Sequence, residues 1–577
     1  MRTLKIGILL VIGLLITTLI SCEKDEPQDP DLEDTSYKFE IGANTTASFF
    51  GTIVDENNNT LSGVAISIGA SSAVTDANGV FFIENAGVNI NHAYIKAEKS
   101  GFFLGSRSVV PTTGVNNIRI MMLQKQNIGS FDASTGGSVS GNGLNIVFQG
   151  GIVDASGNEY TGTVQVAAKY IDPLSADFFD YMPGNLIGAD ASGGKYLESY
   201  GMAAIELTDG SGNELQPADG KTAEVSFPLS GALLAGAQAT IPLWHFNEAK
   251  GYWVLEGSAS LEGGVYKANV SHFSFWNCDI PTDYVIINGQ ITEGGTPLSN
   301  VIVKIVSTGF GSGQAITDIS GYFSGIVPAN DNLTLEVWFD CGAGLVLLNS
   351  QSLGMLSVNT TLPTVSVVSL GTTIAVSGAI VDCSYDAVVN GYVVYDGGKV
   401  AYLSGGNFNI LACTGSLLDI QAFDLDNLTE SGLSTYTLGV ATSFNVGQIV
   451  ACNAISEYIQ WSVNSIDFLS TNNFYFYEQG SFGGLSGNTP NFFELSFNTF
   501  TGVGAYVWDN TGATNLYADG VGSLSSGSIA LNITQYGSNS GDLIEGDFSG
   551  SIMATDSIGG GTLVSQTISG SIHFFRN

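Results

Sequence analysis

Imidazole is scarce in this chain. His92, His245, His272 and His573 are the four histidines of 577 residues, so any acid–base, nucleophilic or zinc chemistry that needs a ring nitrogen must use one of them. His245 follows Leu243-Trp244, and His272 lies in Ser271-His272-Phe273-Ser274-Phe275-Trp276-Asn277. A zinc site or acid–base pair built on these two requires a third ligand or partner, which the sequence does not mark. Each histidine therefore reads as a packed, hydrogen-bonded structural residue. No His-Glu-x-x-His, Cys-x-x-Cys or Gly-x-Ser-x-Gly occurs, so the zincin, zinc-ribbon and serine-hydrolase patterns are absent. Gly220-Lys221-Thr222 mimics the end of a phosphate loop, but Leu215 stands where its first Gly belongs, and the segment reads as a turn between strands. Asp424-Leu425-Asp426-Asn427 runs on to Leu428 without the turn Gly of a calcium loop, which leaves calcium a cofactor on composition only. No catalytic residue, metal ligand or other cofactor is assigned, and the expectation is a protein that is not an enzyme. Carboxylate pairs can cleave glycosides without a local motif, so a polysaccharide hydrolase or its accessory subunit is the alternative.

The six cysteines divide by position. Arg2 and Lys5 precede an apolar or small run from Ile6 to Ile20, the charged start and short apolar core of an export signal. At about 1.5 Å of rise per residue that run is too short to span a hydrocarbon core of about 30 Å comfortably. It ends in Leu19-Ile20-Ser21-Cys22, which resembles the lipobox of bacterial lipoproteins, so residues 1–21 are expected to be removed and Cys22 lipidated. Residues 22–45 then begin with Glu23-Lys24-Asp25-Glu26-Pro27-Gln28-Asp29-Pro30-Asp31-Leu32-Glu33-Asp34, an acidic tether with almost nothing apolar to bury. Acidic residues directly after the cysteine resemble the surface-export signal of Bacteroidetes-type lipoproteins, which implies an outer-membrane protein facing the exterior. Export permits disulfides among Cys278, Cys341, Cys383, Cys413 and Cys452. Cys383, Cys413 and Cys452 each end an apolar strand-like run, so two of them can meet within one domain. Cys278 and Cys341 flank the preceding domain as the other pair to consider.

Acidic residues number 53 against 17 basic ones, for a formal net charge of −36. Such a surface repels phosphate backbones, which argues against nucleic acid as a partner. Only 12% of residues are charged while Gly reaches 74, a balance that favours strands and turns.

From Thr46 onward, alternating runs bounded by Gly, Asn, Asp and Ser recur about every ten residues, the signature of antiparallel sandwiches, so the chain is expected to be all-β with tandem domains. One helical turn is expected near Leu174–Tyr181, stopped by Met182-Pro183-Gly184. A weak internal repeat is present. Gly51-Thr52-Ile53-Val54-Asp55, Leu61-Ser62-Gly63-Val64 and Thr75-Asp76-Ala77-Asn78-Gly79-Val80-Phe81 recur as Gly289-Gln290-Ile291-Thr292, Pro297-Leu298-Ser299-Asn300-Val301 and Thr317-Asp318-Ile319-Ser320-Gly321-Tyr322-Phe323. A decayed third copy has Gly378-Ala379-Ile380-Val381-Asp382, Val389-Asn390-Gly391-Tyr392 and Gly405-Gly406-Asn407-Phe408. In the Thr-Asp-x-x-Gly turn, Asp can bond its own backbone and Gly can supply a positive φ.

These motifs resemble the carboxypeptidase regulatory-like domain, which implies transthyretin-like or immunoglobulin-like sandwiches over 46–124, 283–370 and, more divergently, 371–454. In that family the sandwich accompanies a catalytic domain and does not catalyse. Residues 125–280 carry Met182-Pro183-Gly184-Asn185, Gly251-Tyr252-Trp253-Val254-Leu255-Glu256-Gly257 and the His272 motif, and resemble the β domain of cartilage intermediate layer-like proteins. Residues 455–577 form a Gly- and aromatic-rich β domain whose rings, where exposed, could stack on sugar faces. The functional expectation is a non-catalytic surface lipoprotein for adhesion or carbohydrate capture. Its membrane partner would be met through the lipid and an extracellular polysaccharide or surface protein through the domains, with a purely structural spacer as the remaining reading.

Overall fold

The computed structural model describes residues 39–575 except 343, 369–371, 428, 440, 442, 455–457, 464–465, 473, 480–481, 488, 499–501, 503, 509–515, 519–520, 522–523, 537–542 and 556–562. The expected export signal, Cys22 and most of the expected acidic tether lie outside the described residues. The fold is all-β. Among the described residues the helices are two four-residue turns, Phe178–Tyr181 at the position expected from sequence and Gly231–Leu234, capped by Ser230. No helix among them is long and apolar enough to cross a membrane.

The internal repeat folds three times into one topology. Strand Asn44–Val54 pairs antiparallel with Val80–Asn89 and parallel with Val115–Met121. Tyr284–Glu293 does the same with Tyr322–Pro328 and Val365–Val367, and Thr373–Val381 with Asn407–Cys413 and Ser443–Val450. Each of these sheets faces a second one, built in the first copy from Ser71–Val74, Ala65–Ile68, Ala93–Glu98 and Gly105–Val109. The equivalence holds to single bonds: the amides of Ile53, Ile291 and Ile380 donate to the carbonyls of Gly79, Gly321 and Gly406, each at 2.8 Å. The third copy keeps the topology without the Thr-Asp-x-x-Gly turn, because the apolar alternation that fills its core is intact.

Where the turn is present it works through its side chains. Asp76 Oδ1 accepts the amides of Asn78 and Val80 at 2.9 Å, and Asp318 Oδ1 those of Ser320 and Tyr322 at 2.8 Å. Gly79 has φ +68°, and a Cβ there would lie 2.7 Å from the Ile53 carbonyl oxygen, so only Gly fits. Thr75 Oγ1 donates to Leu61 O at 2.6 Å and accepts the Val64 amide at 2.9 Å, tying the turn to the neighbouring loop.

The second carboxylate oxygen of each turn reaches another sandwich. Tyr392 of the third copy donates to Asp76 Oδ2, and Thr112 of the first copy donates to Asp318 Oδ2 at 2.7 Å. The first sandwich is in fact bonded to every other unit. Its Arg107 donates to the carbonyls of Asp180 and Met182 in the middle unit at 2.9 and 2.7 Å, and Ser108 donates to Gly251 O. Asn117 donates to Thr317 O in the second copy at 2.7 Å. Phe82 stacks on Tyr402 of the third copy, with ring centroids 4.6 Å apart. Ser62 donates to Ser571 Oγ of the C-terminal unit at 3.3 Å.

The cysteines depart from the sequence expectation in one of the two pairs. Cys383 and Cys452 are bonded within the third copy, but Cys341 pairs with Cys413 and so staples the second copy to the third. Cys278 is free and is withdrawn as a disulfide candidate. It sits mid-strand in Phe275–Thr282, its side chain in the core of the middle unit with Val166, Leu243 and Trp276, while Cys341 is taken up by Cys413. A thiol reagent is expected to leave Cys278 untouched in the native chain and to modify it once denaturant opens the core, because burial pushes its thiol well above the ordinary range.

Burial also raises Asp76 from 3.8 to about 6, against the hydrogen bonds from Tyr392, Val80 and Asn78, and raises Asp547 to about 6, against the charge of Lys99. A carboxyl raised in the folded chain favours folding below its unfolded value, and that contribution is lost as pH rises through the folded value, here between about 4 and 6. Thermal melts of Asp76→Asn are therefore expected to show the parent's advantage largest near pH 4 and shrinking towards pH 7.

Candidate functional site

Among the described residues, two places gather side chains that can do chemistry. The first is in the middle unit. His245 lies on strand Thr240–Asn247, between Tyr252–Glu262, which carries Glu256, and Phe275–Thr282, which follows His272. His245 pairs across the sheet with Val254 on one side and Trp276 on the other, so its ring shares a face with Glu256, two residues beyond Val254.

Glu256 Oε2 lies 2.8 Å from His245 Nδ1 and 3.1 Å from His272 Nε2, and Ser271 Oγ holds the other oxygen at 2.8 Å. The three donor atoms lie within 4.8 Å of one another. Trp276 walls the cluster: its ring is 4.9 Å from that of His272, and its indole N–H donates to the His272 carbonyl at 3.1 Å. Burial alone would raise the Glu256 carboxyl. The two imidazoles beside it outweigh that effect and hold the group well below the usual carboxylate range. Sequence reasoning had the two histidines and lacked the third partner. Glu256 stands in a motif already singled out, but only strand register shows that it meets them.

The second place is the four-stranded sheet of the C-terminal unit, Tyr475–Gln479, Phe482–Gly487, Phe493–Asn498 and Leu516–Ala518. Cross-strand pairing sets Tyr475 opposite Ser486, Ser486 opposite Glu494, and Glu494 opposite Tyr517, one row across four strands. The next row, Phe476, Leu485, Leu495 and Leu516, is buried in the core, so alternation turns the first row outwards. Tyr475 and Tyr517 are 54% and 56% exposed, whereas Phe474, Tyr506, Trp508, Phe548 and Phe574 are buried. At about 4.8 Å per strand the two tyrosines stand about 14 Å apart at the ends of the row, with a hydroxyl and a carboxylate between them.

The remaining candidates have structural partners. His92 Nε2 donates to Lys250 O at 2.9 Å, and His573 Nδ1 lies 2.6 Å from Glu545 Oε1. Asp424 spends both oxygens on its own turn, accepting the amides of Asp426 and Asn427 and the Asn427 side chain. Lys221 lies in the turn between strands Glu214–Pro217 and Ala223–Pro228, as its sequence context implied.

No protein-family model matches the chain, and no curated protein matches it. Similar solved structures include the shaft pilin SpaA of Lactobacillus rhamnosus GG, 10% identical, with 30% of this chain and 98% of that one covered at a TM-score of 0.16. The BcpA major pilin subunit of Bacillus cereus is 10% identical, with 70% and 99% covered at 0.13. The Bacillus anthracis TIE protein is 7% identical, with 71% and 50% covered at 0.14. Scores this low carry neither the arrangement of units nor a function across to this chain.

Glu256 is held low in the folded chain, so its contribution to stability is complete above the ordinary glutamate range and is lost as pH falls through the folded value. In the presence of a chelator, Glu256→Gln is expected to cost about 1.5–3 kcal/mol at pH 7, the range for hydrogen bonds to charged groups. The cost should shrink on acidification when followed by denaturant unfolding.

Proposed function

We propose that this chain is a surface lipoprotein, anchored to the outer membrane through Cys22, that captures extracellular polysaccharide on the C-terminal sheet without cleaving it. The observation that carries this reading is the row Tyr475, Ser486, Glu494 and Tyr517. Tyrosine ring faces stack on the apolar faces of sugars, and the polar groups between them can bond hydroxyls. The row supplies one carboxylate, whereas cleavage by the common glycosidase mechanisms needs two. The regulatory-like and cartilage intermediate layer-like resemblances of the other units fit an extracellular protein. A pure spacer fits less well, because its units would add length, and here the first sandwich is bonded to all the others.

Binding of the chain to a panel of polysaccharides should be saturable and release no sugar. Tyr475→Ala and Tyr517→Ala are each expected to weaken it about tenfold, equivalent to about 1.4 kcal/mol. Phe476→Ala should act instead by lowering the melting temperature, since that ring fills the core. Binding indifferent to both tyrosines would reject the platform. Separately, Cys22→Ser is expected to move the chain from the membrane to the soluble fraction.

A further inference from the structure

We propose that His245 Nδ1, Glu256 Oε2 and His272 Nε2 bind one zinc ion in the middle unit, leaving a fourth position towards solvent. This goes beyond polysaccharide capture and does not depend on it.

Two imidazoles and a carboxylate are a zinc donor set, whereas calcium and magnesium take oxygen ligands. The donors come from three stretches of chain that the sheet holds side by side, and they already lie within 4.8 Å of one another. The decisive detail is His245 Nδ1. The residue is 4% exposed, and this nitrogen has no hydrogen-bond partner although the Glu256 oxygen is 2.8 Å away. The two atoms are close without being aligned as donor and acceptor, the relation expected of two atoms directed at a common third. An unsatisfied buried nitrogen is costly, and a metal ion in the cluster removes that cost.

The surroundings hold the ligands in place. Ser271 fixes the second Glu256 oxygen and Trp276 fixes the His272 backbone, contacts of the kind that orient metal ligands. The His272 and Glu256 side chains are 21% and 29% exposed while that of His245 is 5% exposed, so the cluster opens to solvent on one side and an ion has a way in. Bound there, zinc would clamp strands Thr240–Asn247 and Tyr252–Glu262 to the segment before Phe275.

The test uses the full chain purified in detergent and stripped with a chelator. Titration with zinc should saturate at one site per chain and raise the melting temperature by several degrees. Cobalt(II) at the same stoichiometry should give the intense visible bands of a four-coordinate ion. Glu256→Gln and His272→Ala should each weaken zinc binding at least tenfold and abolish the melting shift. Because Glu256→Gln keeps the side chain's shape, its melting temperature in chelator reports whether it folds. Zinc bound equally well by both variants, no zinc-dependent melting shift in the parent, or a preference for calcium would each overturn the proposal and leave Glu256 as a carboxylate placed between two imidazoles.

Discussion

Phe49 and Phe50 are neighbours on one strand, so their side chains leave opposite faces of the sheet, yet both are fully buried. Phe49 fills the interior of the first sandwich. Phe50 lies in a cluster with Tyr392, Val400 and Phe423 of the third. A strand buried on both faces requires cover from outside its own domain, and the last six residues of Asn44–Val54 are all buried. The same demand recurs around the first sandwich. Phe103 and Leu123 extend the core of the middle unit, and Val110 packs with Tyr196, Ile286 and Ile326 where first, middle and second units meet. Each such aromatic or aliphatic side chain contributes about 1.5–3 kcal/mol by leaving water. The first sandwich is thereby the body against which the others are fixed.

Polar contacts then select the orientation. The Thr-Asp-x-x-Gly turn closes a local loop with one carboxylate oxygen and offers the other to a neighbour, Tyr392 at Asp76 and Thr112 at Asp318. The Cys341–Cys413 bond holds the second and third copies together covalently, and Leu411 beside it packs into the core of the second copy. The tyrosine row is assembled across neighbouring strands, so backbone hydrogen bonds set its spacing, whereas in the histidine cluster His245 and Glu256 lie on paired strands and His272 is placed by the short segment before Phe275.

The all-β class and the threefold repeat were legible in the sequence because alternation and turn chemistry are local. Asp76, Gly79, Asp318 and Gly321 do what their spacing implied, and the third copy keeps its topology where its turn has decayed. What was not legible depends on register between distant strands. Glu256 is one of 53 acidic residues, and nothing local marks it as the one that meets His245 and His272. Cys341 and Cys413 are 72 residues apart and belong to different sandwiches, so strand-end reasoning within one domain could not pair them. Alternation turns one face of each C-terminal strand inwards, but only the pairing shows that Tyr475 and Tyr517 end the same outward row. One signal was readable and was missed: two adjacent phenylalanines, Phe49-Phe50, break the inside–outside alternation and mark a strand covered on both faces.

The first sandwich holds the other four units against itself, and small-angle X-ray scattering of the chain in solution tests that directly. A clustered arrangement predicts a radius of gyration of about 25–30 Å, a little above the scaling for a single compact chain of this length, and a bell-shaped Kratky curve. A value of roughly 45 Å or more, with the rising profile of units joined by flexible linkers, would contradict it.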